Sequence, residues 1–400
     1  MLAAGAGESA IALVEIGAVI LALAVLGRLA GRLGITAVPL YLLAGISLGE
    51  SGLIGLRVGE EFVTIAAEIG VLLLLLVLGL EYTDAELREG LRTGLRPGGA
   101  DMAANALPGV AAGFLLGWEP IAAVLLGGVT WVSSSGIISK VLSDLGRVGN
   151  RETPTILNTL VIEDLAMAVY LPVVAALVVG GTVTGTVTTV TVAVCATATA
   201  LVLALRYGGR FSQLLAGSTD ETLILSVFGI TLLVAGLAER IEVSGAIGAF
   251  LVGLAISGKV EVRASELMQP LRDLFAATFF VFFAFQIDPA DVWRMLIPAL
   301  ALATITSATK MASGWYAAGL AGAAPRGRFR AGTMLIARGE FSIVIAALGS
   351  SVVNGPDLTA LAAAYVLLTA IAGPVLTRFA DRVPLPARLA APAKQSLATE

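Results

Sequence analysis

Two adjacent acids, Glu163 and Asp164, lie inside the apolar stretch TLVIEDLAMAVYLPVV, which contains no basic residue. A carboxylate within such a stretch is costly and usually marks an ion or proton pathway. When ionised it can hold Na+ or K+, and when protonated it cannot, so one such group is sufficient to couple cation and proton movement. Adjacent helical residues point about 100° apart. We therefore expect both acids to face a water-filled cavity inside a helix bundle.

Two basic residues, Lys310 and Arg338, also fall within apolar segments. A buried lysine needs an anion beside it, and Glu163 or Asp164 is its natural partner. Snorkelling to an interface is the alternative, but Lys310 is many residues from either end of its segment. Arg338 is followed closely by Glu340 in ARGEFS. We expect these two residues to pair and to neutralise the exposed ends of a broken helix.

Two polar interruptions contain glycine and hydroxyl residues, GGVTWVSSSGIIS at 127–139 and ARGEFS at 337–342. Such sequences tolerate broken helices at membrane depth, where freed carbonyls and hydroxyls can ligate a cation. Helix packing is the other role open to the serines. The candidate ligands of the first interruption are Thr130, Ser133, Ser134 and Ser135.

The composition is that of a membrane protein. The 400 residues are 57% hydrophobic and 14% charged, whereas soluble domains are about 25% charged. Histidine is absent, which excludes Ser-His catalysis and most metal sites. We expect lipid contact, no nucleic-acid partner, no cofactor beyond the transported ions, and a transporter rather than an enzyme. A filter of the TVGYG type is also missing, which disfavours a potassium channel.

Apolar runs long enough to cross about 30 Å of hydrocarbon recur along the whole chain. They predict an all-α polytopic membrane protein with about thirteen transmembrane helices. Most Lys and Arg residues fall in the loops after odd-numbered spans. The positive-inside rule then places the N-terminus outside and the C-terminus, with a short tail at 380–400, in the cytoplasm of an inner-membrane protein. The spans lie near 10–28, 35–51, 61–81, 99–117, 120–142, 154–179, 183–206, 219–238, 242–258, 267–287, 290–318, 331–353 and 358–379.

The chain repeats itself at an offset near 207 residues. ITAVPLYLLAGISLG (35–49) is similar to VSGAIGAFLVGLAISG (243–258), and EIGVLLLLLVLGLEYTDAEL (68–87) is similar to LFAATFFVFFAFQIDPADVW (274–293). Spans two to six would pair with spans nine to thirteen, so the members of each pair are seven positions apart in the order of spans, an odd number. The two copies are therefore inverted, as in many secondary transporters with a site near the midplane. Shared apolar composition alone is the other explanation of the similarity.

Six segments together resemble the monovalent cation/proton antiporters, in the branch of the glutathione-gated potassium efflux systems and bacterial sodium/proton antiporters. The resemblance covers nearly the whole chain and implies the inverted-repeat antiporter fold, with crossed broken helices at 130–136 and 337–341. It puts Asp164 in the place of the aspartate that binds cation or proton in competition, and Lys310 in the place of the basic residue that pairs with Glu163. The segments are AEIGVLLLLLVLGLE, VSSSGIISKVLSDLG, LVIEDLAMAVYLPV, SGAIGAFLVGLAIS, PLRDLFAATFFVFFAFQID and ARGEFSIVIA.

The resemblance also implies a division of labour within a single transmembrane transport domain. Helices at about 10–81 and 219–287 would form a dimerising scaffold, and helices at about 99–179 and 290–379 a transport core. A linker helix at about 183–206 would join them. The core would slide against the scaffold of a homodimer, as in elevator transporters.

Departures from the family pattern leave the transported ion open. Glu-Asp at 163–164 is neither the Gln-Asp common in potassium efflux members nor the Asp-Asp of many electrogenic sodium members. The nucleotide-binding domain of many relatives does not appear in the sequence. A potassium efflux system that lacks its regulatory domain is therefore one alternative function. A separate cytoplasmic regulatory subunit is a partner that this leaves open. A sodium-coupled organic anion symporter of related fold is the remaining alternative.

Overall fold

The computed structural model of the protein describes residues 2–33, 37–49, 60–80, 84–179, 208–210, 212–240, 245–285 and 287–384, with single positions at 191, 195, 199, 202 and 206. The secondary structure of these residues is helical, and apolar segments in them are separated by short turns. Most of the predicted linker helix at 183–206 and most of the predicted tail at 380–400 lie outside the described residues.

The helices of the described residues include long helices of 21–32 residues and shorter helices of 9–12 residues. In chain order they are α1 (Leu2–Leu33), α2 (Val38–Leu48), α3 (Glu60–Leu80), α4 (Asp84–Leu115), α5 (Pro120–Trp131), α6 (Ser135–Asp144), α7 (Thr153–Val179), α8 (Asp220–Arg240), α9 (Gly245–Ala255), α10 (Lys259–Phe285), α11 (Pro289–Leu320), α12 (Pro325–Met334), α13 (Glu340–Leu348) and α14 (Gly355–Phe379). Among the described residues, seven segments are long and apolar enough to cross a bilayer.

Two predicted spans are broken helices. The span expected near 120–142 consists of α5 and α6, and the span expected near 331–353 consists of α12 and α13. Two other predictions were wrong at their starts. Helix α4 begins at Asp84 rather than near 99, and α10 begins at Lys259 rather than near 267. Both helices continue past charged residues that the hydropathy of the sequence assigns to loops.

The order and packing of the helices repeat. Helices α2 and α9 have equal lengths and start at 38 and 245, whereas α4, α5 and α6 correspond to α11, α12 and α13 at a slightly shorter offset. Each copy of the short helix packs on the other copy's long helix, as a pseudo-two-fold exchange requires. Gly45 of α2 lies against the backbone of Val281 in α10, and Gly253 of α9 lies against the backbone of Leu76 in α3. A side chain at either glycine would prevent this approach.

The apolar interior forms two main clusters. A smaller cluster joins α3 to α8, α9 and α10, and a larger one is centred on α5, α11, α13 and α14 and extends to α2 and α10. Representative buried members are Leu73, Val227, Ala249 and Met268 in the smaller cluster, and Leu126, Leu302, Ile345 and Leu361 in the larger one. The larger cluster surrounds the segments that carry the candidate site.

Candidate functional site

The adjacent acids of α7 are both buried. Glu163 and Asp164 are each 1% exposed, although their side chains leave the helix in different directions. Helix α7 packs against α4 and α11, with α5 also in contact. Neither acid faces lipid in this arrangement, so the structure places two carboxylates in the interior of the helix bundle.

Lys310 of α11 lies between two carboxylates. Its Nζ donates to Glu163 Oε1 at 2.6 Å and to Asp101 Oδ2 at 2.6 Å. The side chain of Lys310 is completely buried, so its ammonium does not reach the protein surface as a snorkelling lysine would. Of the two partners that the sequence left open for Lys310, the structure brings Glu163 to it. We call Asp101, Lys310 and Glu163 the buried triad.

Asp101 is the site residue that the sequence reasoning missed. The predicted span began near 99, which put Asp101 at a membrane interface, where an acid needs no explanation. Because α4 begins at Asp84, the residue lies in mid-helix and is 1% exposed. The available signal was an acid followed by Asn105 four residues later in an otherwise small and apolar stretch. In the structure Asn105 Nδ2 donates to Asp101 Oδ1 at 3.0 Å.

The two helix breaks cross each other beside this triad. Backbone N–H of Ser134 donates to the carbonyl of Ala337 at 2.9 Å, and Ser133 Oγ donates to the carbonyl of Leu335 at 3.1 Å. Gly339 permits the crossing, because a Cβ there would lie 2.5 Å from Ser134 Oγ. Both breaks therefore expose backbone polar groups in the protein interior, where lipid cannot reach them.

The break is bonded directly to the buried triad. The N–H of Ser133 donates to Glu163 Oε2 at 2.5 Å, and the single hydrogen of its hydroxyl is shared between Glu163 Oε1 at 3.2 Å and the Leu335 carbonyl at 3.1 Å. A charge-assisted bond from a backbone amide is stronger than a neutral one. Any movement of the break therefore changes the surroundings of Glu163.

Arg338 and Glu340 occupy opposite ends of the half-helices, and the expected pairing between them was wrong. Arg338, which is 1% exposed, donates to the carbonyls of Thr130, Leu335 and Ile336 at 2.8–3.1 Å. These carbonyls close the C-terminal ends of α5 and α12. A cation is favoured at such ends by the helix dipole.

Glu340 lies at the N-terminal ends, where the dipole favours an anion. It is the first residue of α13, and it accepts from Ser134 Oγ at 2.7 Å and more distantly from Ser135 Oγ and the N–H of Gly136 at the start of α6. The two charges thus each compensate two helix ends, on opposite sides of the crossing. This separation explains why they do not meet.

The four hydroxyl residues proposed as ligands all lie at the first break, and each donates to a protein acceptor. Thr130 Oγ1 donates to the carbonyl of Asn105 at 2.8 Å, while the serine hydroxyls donate to the acids described above. A hydroxyl oxygen that donates its hydrogen keeps two lone pairs. The hydrogen bonds therefore orient these oxygens without excluding contact with a cation.

One cavity borders the N-terminal ends of the broken helices and another lies further along α7, and neither is lined by Glu163 or Asp164. One, of about 220 Å³, is lined by Ser135, Gly136 and Glu340 at the N-terminal ends and by Arg272 of α10. The other, of about 760 Å³, separates α7 and α13 from α3, α8 and α9. Leu171 and Ala175 line this crevice, and they lie on the helical face of Asp164, since they follow it by seven and eleven residues.

Comparisons with known proteins agree with this architecture. The family model described as sodium/hydrogen exchanger, transmembrane, matches residues 18–382. The chain is 31% identical over 378 residues to the K(+)/H(+) antiporter subunit KhtU of Bacillus subtilis, covering 92% of this chain and 93% of that protein. It is 30% identical over 380 residues to the ammonium/H(+) antiporter subunit AmhT of Alkalihalophilus pseudofirmus, covering 92% and 93%.

A solved structure shows the same fold. The sodium proton antiporter MjNhaP1 of Methanocaldococcus jannaschii at pH 8 superposes with a TM-score of 0.72 at 16% sequence identity, covering 94% of this chain and 99% of that one. Its identity is low, so this likeness concerns the fold alone. The family model, in contrast, matches sequence from within α1 to residue 382. The chain therefore belongs to the sodium/hydrogen exchanger family of multi-pass membrane proteins.

Proposed function

We propose that the protein is an antiporter that exchanges a monovalent cation for H+, with Asp164 binding either the cation or the proton. The observation that carries this proposal is the buried acid pair at 163–164 beside the crossing of two broken helices. The crossing supplies the carbonyl and hydroxyl oxygens that hard cations prefer. Asp164 supplies the charge, and because protonation removes that charge, the two ions compete.

Alternating access in this proposal follows an elevator mechanism. Helices α4–α7 and α11–α14 act as the transport core, and α1–α3 with α8–α10 act as a scaffold that forms a homodimer. Support comes from the smaller apolar cluster, which lies within α3 and α8–α10, and from the crevice of about 760 Å³ between α7 and the scaffold helices. Sliding along this crevice moves the Asp164 face of α7 relative to α3 and α8.

The relatives bear on the ion and on the partner. The family name refers to sodium, and the two relatives are named for K+ and for ammonium, so the shared property is a single positive charge. We infer Na+ or K+ as the cation of this chain. Both relatives are also named as subunits, which supports a separate partner subunit. We propose that this partner is cytoplasmic and regulatory.

Transport by purified protein in proteoliposomes tests the proposal. Vesicles with an acidic interior and an internal pH dye receive Na+, K+ or Li+ outside, with and without a clamped membrane potential. Antiport makes the interior more alkaline when the transported cation is added, whereas sodium-coupled anion symport does not. The dependence on membrane potential then gives the charge balance.

The assignment of Asp164 is tested with a matched pair of substitutions. Asp164→Asn removes the charge for which cation and proton compete, so we expect no exchange with any cation. Asp291→Asn changes the same chemical group near the start of α11, far from the site, and should exchange normally. Undiminished antiport by Asp164→Asn would refute the assignment.

A further inference from the structure

The two carboxylates of the buried triad are held in different ways. Asp101 and Glu163 lie equally close to Lys310 Nζ, at 2.6 Å. They belong to different helices, α4 and α7, and each has a second set of hydrogen bonds. Those second sets decide which of the two can leave Lys310.

Asp101 is held by hydrogen bonds from α4, its own helix, and from α11, the helix of Lys310. Its Oδ1 accepts from Ser313 Oγ at 2.6 Å and from Asn105 Nδ2 at 3.0 Å. Asn105 is fixed in turn, because its Oδ1 accepts from Thr309 Oγ1 at 2.8 Å. Thr309, Lys310 and Ser313 all belong to α11, so the contacts bind α4 and α11 into one unit.

Glu163 is fixed by the helix break instead. Both of its oxygens accept from Ser133, through the backbone N–H and the hydroxyl. It is also the chain neighbour of Asp164. Rearrangement at the break therefore acts directly on the contacts of Glu163, whereas it reaches Asp101 only indirectly, through the bond from Thr130 to the carbonyl of Asn105.

We propose that Asp101 is the constant counter-ion of Lys310, and that the Glu163–Lys310 contact is the one that opens during transport. Asp101 is then a positioning residue. It allows Glu163 to move toward an ion at Asp164 without leaving a buried ammonium unpaired, a state that is strongly unfavourable. This inference rests on the proposed function, since it assigns a role within the same transport site.

Kinetics of three variants test the inference. In Asp101→Asn, Lys310 keeps only Glu163, so Glu163 is held back and turnover slows. We expect kcat to fall about tenfold or more, with the cation KM changed less than about twofold, because the lost step follows binding. In Glu163→Gln, Lys310 keeps Asp101, so turnover persists while the cation KM or the pH profile shifts. Asp291→Asn is the control and should match the unaltered protein in both parameters.

A thermal melt of the same variants adds an independent readout. The double variant Asp101→Asn with Glu163→Gln leaves Lys310 without a carboxylate, so its midpoint should fall by more than the two single shifts combined. If Asp101→Asn does not fold, Ser313→Ala loosens Asp101 without changing any charge. It should lower kcat several-fold at constant KM, and Ser307→Ala on the same helix is its control.

The outcomes separate the inference from the function on which it rests. Absence of cation-driven alkalinisation with the unaltered protein would refute the antiport itself. Normal antiport by the unaltered protein together with normal kcat in Asp101→Asn, or in Ser313→Ala if that variant replaces it, would overturn only the counter-ion role. A change in KM equal to the change in kcat would also overturn it, because Asp101 would then act in cation binding.

Discussion

Helix α11 carries the central residue of two triads, each with one cation between two carboxylates. In the buried triad, Lys310 contacts Asp101 and Glu163 at 2.6 Å each. Near the start of the helix, Arg294 contacts Asp357 at 2.6 Å and Asp291 at 3.0 Å. We call Asp291, Arg294 and Asp357 the exposed triad. Judged by contact distance alone, the two are nearly equivalent.

Burial distinguishes them. The side chains of the buried triad are 0–2% exposed, and those of the exposed triad are 30–60% exposed. Removing one partner from a buried ion pair costs about 3–5 kcal/mol, because the remaining charge stays desolvated. An exposed pair contributes about 0–1 kcal/mol, since water solvates either partner when the other leaves. Equal geometry therefore corresponds to very different energies.

The surroundings of the two triads also differ. The buried triad is hydrogen-bonded to the helix break through Ser133, so a change at the break alters the hydrogen bonds of Glu163. The exposed triad links the N-terminal ends of α11 and α14, and within the described residues it contacts no part of the candidate site. A cation between two acids thus indicates function only when burial and a movable neighbour accompany it.

Removal of the central cation should give the largest difference between the triads. Lys310→Met leaves two buried carboxylates close to one another without a counter-ion, and we expect it to lower the free energy of unfolding by about 3–5 kcal/mol. Arg294→Met leaves two hydrated carboxylates and should cost at most about 1 kcal/mol. Unfolding followed by the fluorescence of the four tryptophans in detergent measures both. Equal losses would remove the distinction.

Arg338 at the crossing is a buried cation whose partners are carbonyls instead of carboxylates. Its substitution should cost less stability than Lys310→Met and more than Arg294→Met. Arg338 reaches carbonyls of two half-helices with three of its nitrogens, and a lysine nitrogen at one point cannot replace them all. We expect Arg338→Lys to lower the free energy of unfolding by about 1.5–3 kcal/mol, the contribution of one charge-assisted bond.

The matched control is Arg328→Lys. Arg328 is half-buried and donates to a single carbonyl, that of Ala323, at 2.9 Å, a bond that a lysine can also make. Its loss should stay below about 1 kcal/mol. An equally mild effect of Arg338→Lys would mean that the half-helix ends are satisfied without the guanidinium.

The sequence predicted the charged and polar residues that are unfavourable within their own apolar segment. It missed the contacts that depend on how the helices align in three dimensions. Acids, a lysine and polar breaks inside apolar runs are visible one segment at a time, which is why the sequence pointed to Glu163, Lys310 and both breaks. The structure brings Glu163 to Lys310 and places the two breaks against each other. Hydropathy alone places a helix end where charges begin. It therefore truncated α4 at its start and moved Asp101 to the boundary.

The pairing of Arg338 with Glu340 was predicted from their nearness in the chain, and this prediction was wrong. Arg338 and Glu340 are two residues apart, but the backbone between them crosses the other break, so they lie at opposite ends of the half-helices. Helix dipoles, rather than mutual attraction, account for both positions. Such a result requires the crossing itself, which no single segment encodes.

The smallest expected effect is that of Asp291→Asn in the exposed triad. Arg294 keeps Asp357 at 2.6 Å, so we expect a loss of at most about 0.5 kcal/mol at low ionic strength. Because the Debye length falls to about 3 Å at 1 M salt, the loss should disappear there, whereas the effect of Lys310→Met should persist. Choline chloride is the suitable salt, since Na+ or K+ would bind the native state and stabilise it. A loss for Asp291→Asn that survives high salt would mean that this triad, despite its exposure, is as poorly hydrated as the buried one.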